Sequence, residues 1–304
     1  MADTLLTRIP ARLHGHLAML CFSALVAGSF SLGSLIANDI APAALNAVRF
    51  LLAASIMGGL AFAGGGIPRA ALRAPWRYLL LGGVFSAYFV LMFEALKTAA
   101  PVSTAAVFTL TPVLSAGFGW MLMRQVTTAR MGLALGIGAL GALWVIFRAD
   151  IAALLAFQVG RGEMVFFVAC IFHAIFTPML KLLNRGEGSL AYSFLFMAAG
   201  FFLLTLWGWG DLVATDWAAL PDLVWITLIY LAVFASAGSF FMLQFAARQL
   251  PSAKVMAYTY LTPSWVIGWE ISLGHGVPPL LVLGGVALTV VALAILLKDE
   301  DAAE

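Results

Sequence analysis

Residues 101–123, PVSTAAVFTLTPVLSAGFGWMLM, and residues 251–273, PSAKVMAYTYLTPSWVIGWEISL, decide the fold. Each opens on a proline, Pro101 or Pro251. Each carries a Leu-Thr-Pro triplet in its interior, Leu110-Thr111-Pro112 or Leu261-Thr262-Pro263, and each leads into a glycine-rich apolar stretch. The first holds no charge and the second only Lys254 and Glu270. A helix of this length, at 1.5 Å per residue, reaches about 35 Å, more than a hydrocarbon core of roughly 30 Å. The pattern therefore predicts two related membrane-crossing helices, each interrupted where proline removes a backbone donor.

Working outward, the same kind of run fills the chain. Of 304 residues, 63% are hydrophobic and only 10% charged, where a soluble protein carries roughly 25% charge. Uncharged runs between charge clusters and Pro/Gly breaks predict ten spans, at 16–37, 43–63, 76–98, 102–123, 129–147, 162–183, 190–209, 222–247, 252–273 and 278–297. Arg8 and Arg12 precede an apolar run as in a secretory signal. Residues 17–37 stay uncharged for longer than a signal's apolar region, so they are read as an uncleaved first span. Cys21 and Cys170 fall inside spans and are expected as small apolar fillers rather than as a disulfide or metal ligands.

Orientation follows from the 16 Lys and Arg, whose net excess over acids is only +2. Arg8, Arg12, Arg69, Arg73, Arg77, Arg124, Arg130, Lys181, Arg185, Arg248, Lys254 and Lys298 gather at one end of the predicted bundle. Lys97, Arg148 and Arg161 lie at the other, and Arg49 inside a span. Basic loops stay in the cytoplasm, so both termini are expected there. Five spans per half make the second half run upside down. The loop after span 2 bears Arg69, Arg73 and Arg77, whereas its counterpart after span 7 bears Asp211, Asp216 and Asp222. The expected fold is an all-α integral membrane protein with ten transmembrane helices in two inverted five-helix repeats, 1–150 and 151–304, forming one transport unit. Secondary transporters recurrently use this plan, with the substrate path between the repeats.

The order and doubling of several short motifs carry a family resemblance: Arg49-Phe50 in span 2; Phe93-Glu94-Ala95-Leu96 running to Thr111-Pro112; its echo Phe245-Ala246-Ala247 running to Thr262-Pro263; and the glycine-rich fifth and tenth spans. Over nearly its full length the chain resembles the EamA-type ten-helix members of the drug/metabolite transporter superfamily. The resemblance implies an exporter or facilitator of amino acids and related metabolites in the bacterial inner membrane, with the aromatic amino acid exporters as the branch. One departure stands out. Where relatives often place Leu-Gly-Glu after spans 4 and 9, this chain reads Leu122-Met123-Arg124 and Leu273-Gly274-His275, so a role carried by those carboxylates does not transfer.

Several residues are candidates for contact with substrate. Arg49 is costly inside a span and suits a carboxylate with its planar fork; snorkelling to the outer interface or pairing with an internal acid is the competing reading. Asn46, one turn earlier on the same face, can share a polar pocket or orient the guanidinium. His173 sits mid-span above Thr177-Pro178, either lining the path or serving as a hydrogen-bonded core histidine. Phe85, Tyr88, Phe89 and Met92 share one face of span 3; Tyr258, Thr262, Trp265 and Trp269 share one of span 9. Of these, Phe85, Tyr88, Tyr258 and Trp265 are the expected lining for an apolar ring. Thr111, Pro112, Thr262 and Pro263 are the candidate hinges. Gly132 and Gly136 are expected to let helices approach closely, within the chain or in a dimer.

The function classes narrow accordingly. No phosphate-binding Gly-x-x-x-x-Gly-Lys-Ser/Thr loop is present, which excludes an ATP-driven pump in this chain alone. No His-Glu-x-x-His motif or paired mid-span aspartates suggest an intramembrane enzyme, and no charge rings or repeated filter loop suggest a channel. No catalytic residue, metal or cofactor is expected. The partners are a small-molecule substrate and the lipid bilayer, not nucleic acid, with the chain a monomer or homodimer.

Overall fold

The computed structural model of the protein describes residues 11–126, 128–156, 159–247, 249–250 and 252–298. Arg8, Arg248 and Pro251, used above for orientation and repeat, lie outside the described residues. Among the described residues the regular structure is helical throughout, without strands. Spans 1, 2 and 3 are Ala11–Ile36, Pro42–Ala63 and Trp76–Leu96. Spans 5, 6, 7 and 10 are Ala129–Ile146, Arg161–Leu183, Ser189–Trp207 and Leu280–Leu297.

The remaining spans are composite. Span 4 joins Pro101–Phe108 to Thr111–Met123. Span 8 runs from Asp222–Ala232 through a π-helical segment, Val233–Gly238, into Ser239–Ala247. Span 9 is broken most: Ser252–Ala257, a 3-10 turn at Tyr258–Leu261, then Thr262–Ser272. Nine helical segments among the described residues, the composite spans 4 and 8 included, are long and apolar enough to cross a membrane; span 9, the most broken, is the predicted span that is not among them. Both breaks sit where the proline puts them. Pro112 withholds its donor from the carbonyl of Phe108, the last residue of the preceding helix, and Pro263 from that of Thr259, within the 3-10 turn.

The main pairings between the halves are unchanged by exchanging each span with the one five places on. Span 2 packs on 7, 4 on 9 and 5 on 10; span 3 packs on 6 and 7 as span 8 packs on 1 and 2; span 4 packs on 6 as span 9 packs on 1. The halves thus interleave, which an inverted pair of five-helix repeats requires. The crossing of spans 5 and 10 depends on glycine: a Cβ on Gly141 would lie 2.6 Å from the Gly285 carbonyl oxygen. Gly132 and Gly136, expected to serve that purpose, have open space where a Cβ would stand. Within the chain the close contact falls on Gly141 instead, because Gly132 and Gly136 lie on a different face of span 5. The outer surface is apolar, with Leu60, Phe62, Leu140, Leu206, Ile229 and Leu281 all more than half exposed, the surface a bilayer covers and water does not.

Candidate functional site

The bundle centre is aromatic. The predicted face of span 3 points inward, with Phe85, Tyr88, Phe89 and Met92 all buried. Phe85 stacks on Phe176 of span 6 at 4.5 Å between centroids and meets Phe240 of span 8 at 4.8 Å. Tyr88 lies 4.6 Å from the His173 ring, which in turn meets Phe108 of span 4 at 5.1 Å. All of these side chains but Phe176 close around a void of about 20 Å³, which Ser29 of span 1 and Ala235 and Ser239 of span 8 also line. Such a volume holds about one water, so in this conformation the rings shut the centre.

Arg49 is fully buried against this cluster. Its Nε donates to the Ser236 hydroxyl at 2.7 Å, its Nη2 to the Ala235 carbonyl at 3.1 Å, and its Cζ lies 3.7 Å from the Phe89 ring centroid. The π-helical segment of span 8 explains the carbonyl. Widening the turn displaces main-chain groups from the ordinary ladder and turns them toward a partner, a feature that recurs at functional sites. Nη1 makes no hydrogen bond, and among the described residues no carboxylate lies within ion-pair distance of the guanidinium. Arg49 therefore neither snorkels nor pairs with an acid.

The other sequence candidates divide. His173 is buried, with Nδ1 making no hydrogen bond. The carbonyl that Pro178 leaves free, that of Ala174, accepts from Ser115 of span 4 at 3.3 Å, and span 6 stays continuous. Asn46 donates to its own helix, to the Pro42 carbonyl at 2.8 Å, so Ser236 and Ala235 orient the guanidinium instead. Tyr258 and Trp265 are held by span 1, away from the central rings: Tyr258 bonds His16 at 2.8 Å, and Trp265 Nε1 donates to Ser23 at 3.1 Å. Trp265 is 40% exposed, as an indole on the bundle surface would be. Span 9 packs on span 1, which takes up both side chains and keeps them from the central rings.

At the end bearing most of the basic residues, a cavity of about 310 Å³ opens between spans 6, 7, 8 and 9. Lys181, Glu187, Tyr192 and Gln244 line it, and Leu243 lines both this vestibule and the central void. Its rim is tied across the halves. Arg77, in the first turn of span 3, pairs with Glu187 of the loop between spans 6 and 7 at 2.6 Å and also donates to the Leu183 carbonyl. Tyr78 Oη lies 3.0 Å from the same carboxylate, and the Arg185 backbone N–H donates to it at 2.7 Å. Burial works against the charge on Glu187, but these donors, Arg77 first, hold its carboxyl down at about 2.

The doubled bundle has a counterpart among known proteins. Residues 13–147 and again 160–298 match the EamA-like transporter family. The chain belongs to that family. Each matched segment of this EamA-family transporter holds five spans. The chain is similar, at 23% identity over 266 residues and 86% of both sequences, to the Uncharacterized transporter YyaM of Bacillus subtilis (strain 168). It also resembles a solved crystal structure with a TM-score of 0.71 at 19% identity, covering 97% of this chain and 99% of that one, which shows a shared fold.

Sequence reasoning did not find Ser236 and Ala235, Phe176 and Phe240, or the Arg77–Glu187 tether. The small and polar run 235–239 was a signal for the first pair, since only a helix with local reason to widen offers backbone to a neighbour. Nothing local signals a pairing between positions 77 and 187.

Proposed function

We propose that the protein is a secondary transporter that exports amino acids, aromatic or large neutral ones foremost, and related metabolites across the bacterial inner membrane. Both termini face the cytoplasm, and repeats 1–150 and 151–304 work as one unit, in a monomer or homodimer, by alternating access to the centre between them. One observation carries the reading: a buried guanidinium with an unused N–H, backed by a ring face, beside a void lined by aromatic side chains. A cationic fork binds a carboxylate in two-point fashion, and the rings take up an apolar body. The Thr111-Pro112 and Thr262-Pro263 breaks supply symmetry-related hinges. Charge bias supports the orientation, since the vestibule opens at the basic end. No carboxylate lines the void among the described residues, so the protein works as a facilitator down its substrate's gradient.

Proteoliposome flux of a panel of amino acids and their close relatives, with and without a pH gradient, tests this. Saturable flux of aromatic or large neutral members, independent of the gradient, is the expected result. Indifference to every member together with efflux of cationic drugs overturns it.

A further inference from the structure

The charge balance of the centre says more about the cargo than its shape does. Every carboxylate that approaches the bundle interior among the described residues already has a role elsewhere. Glu187 pairs with Arg77, Glu94 with Lys97 and Glu270 with His275, while Glu163 accepts from Ser103 at 2.8 Å. The void itself offers hydroxyls and an imidazole, from Ser29, Tyr88, His173 and Ser239, but no acid. Beside it, against the lining residues Phe89 and Ala235, stands Arg49, fully buried and with Nη1 unused.

A zwitterion binding here satisfies Arg49 with its carboxylate and then leaves its own ammonium stripped of water with no counter-charge. The ring faces are weaker partners than the water lost, and the Phe89 face beside the carboxylate subsite is taken by Arg49 itself. A cargo with the same carboxylate and no ammonium neutralises the site and carries no such penalty. We infer that the central site selects net monoanions: small carboxylates with an aromatic or apolar body in which the ammonium is absent, such as 2-hydroxy or 2-oxo acids. The inference rests on the reading that cargo binds at Arg49, and ranks the related metabolites of that proposal above the amino acids themselves.

A second consequence follows. Each cycle moves one negative charge across the membrane, whatever the charge of the empty carrier on its return. A potential negative inside therefore drives export of the monoanion and adds no driving force to that of a zwitterion.

The test compares 2-hydroxy-3-phenylpropanoate with phenylalanine, which share ring and carboxylate and differ in the ammonium. Efflux is followed from proteoliposomes of the full chain and from protein-free vesicles, with and without an inside-negative potassium diffusion potential. The expected result is carrier-mediated efflux of the hydroxy acid at least about tenfold faster than of phenylalanine, accelerated by the potential and lost in Arg49→Met. Phenylalanine moving as fast or faster, without response to the potential, overturns the charge selection and leaves the amino acid proposal standing. Flux that is the same in Arg49→Met as in the unsubstituted protein, or absent for both compounds, overturns both.

Discussion

Arg49 is a liability for folding. A lone guanidinium in a span costs roughly 2.5 to 3.5 kcal/mol to insert on translocon scales, and here it is offset only by Ser236, Ala235 and the Phe89 ring. Replacing a buried charge by an apolar side chain of similar volume is often neutral or stabilising. Arg49→Met is accordingly expected to insert normally, with its thermal midpoint in detergent within a few degrees of the unsubstituted protein, while transport falls at least about tenfold. A matching loss of both stability and transport would make Arg49 a packing group. Phe85 behaves oppositely, because its ring touches Phe176 and Phe240 at under 5 Å. Phe85→Ala should lower stability by about 3 kcal/mol, read from unfolding in mixed micelles. In the sequence Arg49 was legible because a cation interrupts an apolar run. What holds it was not, because Ser236 lies 187 residues away and an ordinary helix there would have offered no carbonyl.

At the scale of elements, prolines of the same kind have two outcomes. Pro112 and Pro263 break their spans, whereas Pro178 leaves span 6 continuous because Ser115 takes up the stranded Ala174 carbonyl. The Leu-Thr-Pro triplets made the breaks readable in advance; the rescue of Pro178 by another helix was not. Restoring the missing donors in Pro112→Ala with Pro263→Ala should straighten both spans and stabilise the bundle by up to roughly 3 kcal/mol per site. The same double variant should slow turnover at least about tenfold, measured as flux per inserted protein. Unchanged turnover would mark the breaks as static. The Arg77–Glu187 tether makes a prediction in pH. The carboxyl is held at about 2 against an ordinary 4.5, so its contribution is complete above 4.5 and is lost as pH falls from there towards 2. The thermal midpoint of the unsubstituted protein should fall across that window. Glu187→Gln should start lower at neutral pH and show a shallower fall, and parallel curves for the two would contradict the assignment.

For the whole molecule, composition and doubling carried most of the architecture: ten spans, two halves, opposed directions. They carried it because each apolar run must be a helix in lipid, and because an odd number of spans per copy leaves no other arrangement. Which faces meet at the centre was half legible. Span 3 turns its predicted face to the centre with Phe85 and Tyr88, while span 9 turns Tyr258 and Trp265 to span 1, a choice between neighbours that periodicity alone does not make. In the proposed cycle one centre faces each side in turn, and Ser239 sits in it, 2% exposed and beside the vestibule through Leu243. With Cys21 and Cys170 replaced, Ser239→Cys should react with a membrane-impermeant thiol reagent from the basic end when no cargo is present, and from the opposite end once cargo saturates both sides. Labelling confined to one face under every condition would contradict it.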